Sequence, residues 1–299
     1  MLTPTWEPVH GYQGQPIPLA AMTTVGHRRP TVGRVRINAP IGIFDSGFGG
    51  LTVARAIVDL LPDEDIIYLG DTARTPYGPR PIAEVREFTL ECLDWLVGQG
   101  VKALVIACNT ASSAALRDAR ERYDIPVIEV ILPAARKAAT ISRNGKVGVI
   151  CTQGTANSRS YDDALVASRA KLFTQPCPRF VDFVEAGITS GVELLEVATD
   201  YLTPLKDEGV DTLILGCTHY PLLSGVVSLV MGEEVTLVSS SDESARAAYA
   251  LLTRRNLVRT EPHVATRRFV TTGDPKAFEG LGRRLMGGFV SGIESLHLD

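Results

Sequence analysis

The sequence predicts an α/β protein built from two similar doubly wound parallel-sheet domains, with the active site in the cleft between them. Unbroken apolar runs of four or five residues, bounded by Gly and small polar residues, have the pattern of strands buried on both faces of a parallel sheet. These runs alternate with segments of helical spacing, as right-handed β-α-β crossovers require. One run also occurs twice. Residues 103–111, Ala-Leu-Val-Ile-Ala-Cys-Asn-Thr-Ala, have a second copy in residues 212–220, Thr-Leu-Ile-Leu-Gly-Cys-Thr-His-Tyr, and each copy follows a Gly-Val pair with Cys108 and Cys217 in register. Internal duplication of this kind predicts repeated architecture.

Along the chain, residues 1–40 hold six prolines, four arginines and one acid, Glu7, without helical or strand periodicity. They predict a flexible, weakly basic arm; Met22 inside it leaves open both a misassigned start and a regulatory extension. The first strand is expected at Ile41-Gly-Ile-Phe44, running into Asp45-Ser46-Gly47-Phe48-Gly49-Gly50. Helical spacing over 51–61 stops at Pro62. A strand at 66–69 leads to a Pro/Gly-rich loop holding Thr75-Pro76-Tyr77-Gly78-Pro79, and an amphipathic helix at 82–97 ends at Gly98. The third strand carries Cys108; a helix at 112–123 and a fourth strand at 126–130 follow. The pattern then repeats, since Val147-Gly-Val-Ile150-Cys151-Thr152 echoes Ile41-Gly-Ile-Phe44-Asp45-Ser46. A weak strand at 172–175, one long helical stretch at 180–206, the strand ending at Cys217 and a strand at 235–238 complete the second copy. A helix at 243–254, a strand at 268–271 and a helix at 275–286 are too short for a third domain, and 288–299 has the composition of a loose tail.

Composition bounds the functional classes. With 299 residues and 45% hydrophobic composition the chain can form real cores, and a net charge of −4 gives no electrostatic footprint for nucleic acid or an anionic membrane surface. No stretch approaches the ~18 consecutive apolar residues of a membrane span, and the N-terminus lacks a continuous apolar signal region, so a cytoplasmic location is expected. Five cysteines at wide spacings, with no Cys-x-x-Cys pair, argue against a disulfide framework and against a structural metal site.

The two matched cysteines stand out because each falls at the carboxyl end of a predicted parallel strand, where ligands bind in open α/β sheets and where a following helix N-terminus lowers a thiol's pKa. A single cysteine after a buried strand is more often an inert core residue; a matched pair suggests one site with a sulfur on each side. Cys92, Cys151 and Cys177 lack such a partner and are read as structural. Gly47-Phe48-Gly49-Gly50 resembles the start of a dinucleotide loop, but Thr52 stands where the third glycine belongs. Asp45 and Ser46 are instead a carboxylate for an ammonium group and a hydroxyl suited to a carboxylate, although taken by themselves an Asx- or Ser-type turn is the better explanation. His219, two residues past Cys217, is either a hydrogen-bonded core histidine or a site residue.

Five motifs in order, Asp45-Ser46-Gly47-x-Gly49-Gly50-Leu51-Thr52, Pro76-Tyr77-Gly78, Ala107-Cys108-Asn109-Thr110-Ala111, Phe183-Val184-Glu185-x-Gly187 and Leu215-Gly216-Cys217-Thr218-His219-Tyr220-Pro221, together resemble the signature set of the glutamate racemases, in the aspartate/glutamate racemase family. The resemblance covers residues 41 to about 287. It implies a bacterial, cofactor-independent enzyme without a metal, which interconverts L- and D-glutamate and supplies D-glutamate for peptidoglycan. It implies a first domain of residues 41–132 plus 242–287, a second of 133–241, and a homodimer. By the same resemblance, Cys108 acts on D-glutamate and Cys217 on L-glutamate. Asp45 and His219 assist them, and Glu185 is a second acid beside His219. Substrate binding falls to Asp45, Ser46, Tyr77, Gly78, Asn109, Thr110, Thr218 and His219. Two other readings compete: a two-thiol racemase for aspartate or another acid, and a two-domain binding protein that keeps the cleft without turnover.

Overall fold

In the computed structural model, which describes residues 36–298, the apolar runs become strands because helices cover both faces of each sheet. The first half runs β1 (Ile41–Asp45), α1 (Leu51–Leu60), β2 (Ile66–Gly70), α2 (Ile82–Gly98), β3 (Ala103–Ile106), α3 (Asn109–Arg122) and β4 (Val127–Glu129). The second runs α4 (Ile131–Ile141), β5 (Lys146–Cys151), α5 (Gln153–Ser158), α6 (Ser160–Leu165), β6 (Lys171–Pro176), α7 (Arg179–Glu185), α8 (Val192–Asp207), β7 (Thr212–Gly216), a 3₁₀ turn at Tyr220–Leu223, α9 (Ser224–Met231) and β8 (Thr236–Ser239). The chain then returns to the first sheet through α10 (Ser240–Arg254), β9 (Arg267–Thr271), α11 (Pro275–Met286), a 3₁₀ turn at Gly287–Phe289 and β10 (Ile293–Ser295).

The duplication is visible in the topology. The six-stranded sheet has the order β10-β9-β2-β1-β3-β4 and the four-stranded sheet β6-β5-β7-β8, so the strands of the second half repeat the order of the first four. All pairings are parallel, and Ile41 of β1 lies opposite both Ile66 and Ala103 as Val147 of β5 lies opposite Leu172 and Thr212. In each sheet the chain leaves the central strand on one side and returns on the other, so the crevice at the carboxyl ends of β1 and β3, and of β5 and β7, is a topological switch point. On the first sheet α1, α10 and α11 pack over Ile41, Ile43 and Val105, while α2 and α3 cover Phe44, Leu104 and Ile106. On the second, α7, α8 and α9 bury Ile150, Leu213 and Leu215, and α4 and α6 bury Val147, Val149 and Ile214.

Four expectations need correction or a limit. The stretch 180–206 is two helices, not one, because Gly187 (φ +74°) and Gly191 (φ +124°) take backbone conformations that break the helix between α7 and α8. The helix expected at 112–123 starts three residues earlier, since the Cys108 sulfur caps it by accepting from the Ala111 amide at 3.4 Å. Residues 293–295, expected in a loose tail, form β10 beside β9, and Leu296 and Leu298 pack against the core. The arm expected over 1–40 lies outside the described residues as far as residue 35.

At the amino end of the first sheet, Lys102 and Glu64 form a fully buried ion pair, and Lys102 Nζ also donates to Ile37 O at 2.6 Å. The second Glu64 oxygen accepts from the Arg259 amide at 2.8 Å. Removing one partner of such a pair strands the other charge. Lys102→Met is therefore expected to lower unfolding stability by about 3 kcal/mol, read as a fall in the urea midpoint; an unchanged midpoint would show that the buried pair contributes nothing net.

Candidate active site

The two sulfur-bearing strand ends face one cavity of about 190 Å³. From the first sheet come Ser46 after β1, the loop 75–79 after β2, and Cys108, Asn109 and Thr110 where β3 passes into α3. From the second come Thr152 and Gln153 after β5, Pro178, Val181, Asp182 and Glu185 on and before α7, and Cys217, Thr218 and His219 after β7. The structure thus brings together every expected site residue except one. Asp45, fully buried, stands behind the wall rather than in it.

Cys108 is 7% exposed and Cys217 6%. The Cys108 sulfur accepts from Ser46 Oγ and from the Ala111 amide, both at 3.4 Å. Burial pushes its thiol up to about 12, and the nearby Asp45 charge adds to that push, while the two donors pull the other way. Asp45 takes the Gly47 amide on Oδ2 at 2.8 Å and leaves Oδ1 without a partner. Its carboxyl is itself raised by burial, against the lowering influence of the His219 charge and the backbone amides of Gly47 and Gly50.

Around Cys217 the neighbours differ. His219 Nδ1 lies 3.6 Å from the Cys217 sulfur, and its Nε2 lies 3.3 Å from Glu185 Oε1. The latter pair has ion-pair distance without hydrogen-bond alignment, since neither atom has a hydrogen-bond partner. Burial alone would lower the imidazole's pKa; Cys217 and Glu185 overcome it and hold the ring at about 10, so it carries a positive charge at neutral pH. Cys217 is followed by a 3₁₀ turn with Pro221, whereas Cys108 sits at the N-terminus of the 14-residue α3.

The remaining polar groups are held by the fold. Tyr77 OH donates to Asp71, which also accepts from Arg74 Nε at 2.7 Å and Thr272 Oγ1 at 2.7 Å. Thr110 Oγ1 meets Thr152 Oγ1 at 2.9 Å across the cleft. Asn109 Oδ1 accepts from Tyr161 OH at 2.8 Å, and its Nδ2 is buried without a partner. The glycine segment after β1 is explained by close approach: a Cβ at Gly49 would stand 2.5 Å from His219 Nδ1 and collide with Thr218, and one at Gly50 would stand 2.5 Å from Asp45 Cβ. Thr52, the residue that breaks the dinucleotide pattern, donates to Thr218 O at 3.0 Å.

Sequence reasoning missed Thr152, Gln153, Pro178, Val181 and Asp182. For Thr152 a signal existed, because it occupies in the second copy the place Ser46 holds in the first. Gln153 and the α7 residues reach the cavity only through the packing of α5 and α7, which no local pattern announces.

The family model for Asp/Glu/Hydantoin racemase matches residues 41–248. The chain is 60% identical over 260 residues to the glutamate racemase of Mycobacterium ulcerans, covering 86% of this chain and 95% of that one. Among solved structures it is similar to a glutamate racemase isoform from Bacillus anthracis, with 40% identity, a TM-score of 0.83 and coverage of 88% of this chain and 98% of that one. It is also similar to a glutamate racemase from Francisella tularensis in complex with D-glutamate, with 36% identity, a TM-score of 0.82 and coverage of 88% and 99%. A facing pair of thiols, a matching parallel-sheet architecture and this breadth of similarity agree, and the chain belongs to the glutamate racemases of the Asp/Glu/Hydantoin racemase family.

Proposed function

We propose that the chain interconverts L- and D-glutamate by proton transfer between two thiols on opposite sides of Cα, without an electron-sink cofactor. The observation that carries this reading is that Cys108 and Cys217, on the ends of strands from two different sheets, line one cavity. One sulfur, as thiolate, takes the α-proton; the Cα–H electron pair stays on carbon as a carbanion, and the other thiol delivers its proton to the opposite face. The product leaves the two sulfurs with exchanged protonation states, and the reverse turnover restores them.

With L-glutamate Cys217 is the base and Cys108 the acid; with D-glutamate the roles reverse. The imidazolium of His219, backed by Glu185, supplies positive charge beside Cys217, and Asp45 acts on Cys108 from behind the cavity wall. The substrate carboxylates are held by Ser46, the Tyr77-Gly78 turn, Asn109, Thr110 and Thr218 through hydroxyl and amide donors, in place of an arginine. Because the carbanion has no electron sink, the site depends on positioned hydrogen bonds and exclusion of water, and the two domains, residues 41–132 plus 242–298 and residues 133–241, close on the substrate. The D-glutamate formed enters peptidoglycan in the cytoplasm of a bacterium, and the enzyme works as a homodimer. Among the described residues no helix is long and apolar enough to cross a membrane.

In deuterated buffer, enantiopure glutamate is expected to lose its optical activity as deuterium enters at Cα. Cys108→Ser and Cys217→Ser should each slow racemisation by at least about 10²-fold, the usual contribution of a positioned acid or base. Circular dichroism and proton NMR read both events, and wild-type racemisation in either variant would overturn the two-thiol reading; parallel runs with aspartate separate the aspartate alternative.

His219, held at about 10 against an ordinary 6.5, has a raised folded-state pKa. The stabilisation its cation brings is therefore complete below about pH 6.5 and is lost as pH rises to about 10. The same cation serves catalysis, so kcat/KM should fall on the alkaline side as pH approaches 10. A nitrogen-15 titration of the histidine ring checks the assignment, and a midpoint near 6.5 would contradict it.

A further inference from the structure

We infer that Tyr161 is a positioning residue for substrate recognition: its phenol fixes the Asn109 side-chain amide so that the NH2 group, not the carbonyl, faces the cleft. The inference rests on the racemase reading above and adds a residue outside the five sequence motifs and outside the cavity lining. Tyr161 lies on α6, under the second sheet, and is 2% exposed; Asn109, likewise 2% exposed, opens α3 beside Cys108. The bond from Tyr161 OH to Asn109 Oδ1, 2.8 Å long, therefore crosses from one half of the molecule to the other within one residue of a catalytic sulfur.

The direction of this bond follows from satisfying buried groups. Burial holds the Tyr161 phenol far above its ordinary pKa, so it remains an O–H. With the amide as found, the phenol hydrogen and the Asn109 carbonyl satisfy each other and only Nδ2 is left without a partner. With the amide turned over, Nδ2 would donate to the phenol oxygen, and both the phenol hydrogen and Oδ1 would be buried without partners. A buried polar group without a partner is costly, so the observed orientation wins by one unsatisfied group. Its consequence is chemical. The group left free in the cavity wall is a donor, which a substrate carboxylate satisfies on binding and which an acceptor at that place would repel. The Tyr161 ring also packs near Gly216, where a Cβ would stand 3.1 Å from the ring edge, so the phenol is set against the strand that ends at Cys217.

Three variants test the inference in the racemisation assay. Tyr161→Phe keeps the ring and frees the amide; KM for both enantiomers should rise about tenfold with kcat within about twofold, the size of one lost hydrogen bond to a charged group. Asn109→Ala should raise KM at least as much, and adding Tyr161→Phe to it should bring no further loss, because the phenol acts only through the amide. Asn109→Asp, which keeps the phenol's acceptor but turns an acceptor oxygen to the cleft, should raise KM more than Asn109→Ala does; this arm stands even if Tyr161→Phe fails to fold. Unchanged KM in Tyr161→Phe, multiplying effects in the double variant, a loss confined to kcat, or a smaller rise in KM for Asn109→Asp than for Asn109→Ala would overturn the inference. A wild-type protein that does not racemise glutamate would instead overturn the function on which it rests.

Discussion

The structure is organised by one requirement, a dry space between two sulfur atoms. Abstraction of an α-proton from an amino acid leaves a carbanion that water would quench, so the reacting centre has to be enclosed. Enclosure works against the bases it needs: burial drives the Cys108 thiol up to about 12. The fold answers at each sulfur with local donors. Ser46 Oγ and the Ala111 amide point at Cys108, and the His219 imidazolium lies against Cys217.

Enclosure also explains features that look incidental in isolation. Gly49 lets the start of α1 approach the Thr218–His219 turn and Gly50 lets it approach Asp45, where a Cβ would collide in each case. Gly154 does the same on the other side, where a Cβ would stand 2.7 Å from Gly78 O. Thr52 and Thr110 then tie the two halves by hydroxyl bonds to Thr218 O and to Thr152 Oγ1. These bonds between the halves run through the same short segments that carry the site, so a substitution that loosens them also moves catalytic groups.

What the sequence reveals follows the range of the forces involved. The central strands and the duplication are legible because β1, β2, β3 and β7 are buried along their whole length and apolar along most of it, a pattern local to four or five residues. The cysteines and His219 are legible because they sit at strand ends, where position follows from the pattern. The break at 186–191 is harder: the apolar spacing continues through it, and only the positive φ of Gly187 and Gly191 ends the helix. The last strand, Ile293–Ser295, is too short to announce itself and exists because the edge of β9 is there to pair with. Asp45 falls at the expected strand end, yet its place behind the wall is decided by the Gly47 amide turning back onto its carboxylate. Tyr161 carried no signal at all, being a buried aromatic whose meaning lies in a partner 52 residues away.

The duplicated fold serves a reaction that is symmetric in its products but not in its means. Both half-sites place a cysteine at the end of the third strand, yet one opens a 14-residue α-helix and the other a 3₁₀ turn with Pro221. At Cys108 the stabilising groups are neutral dipoles, a hydroxyl and a backbone amide, with a carboxylate behind them. At Cys217 they are a cation with a carboxylate behind it. A neutral dipole changes little with pH, whereas the cation can be lost, so alkaline pH acts on one half-site and spares the other. The two directions of turnover use the sulfurs in opposite roles, but the equilibrium between the enantiomers is fixed by their mirror relation, so kcat/KM for the two directions must change together with pH and the asymmetry can show only in how kcat and KM are separately divided between them. Duplication supplied the geometry; divergence of the residues after Cys108 and Cys217 set which charges and dipoles surround each sulfur.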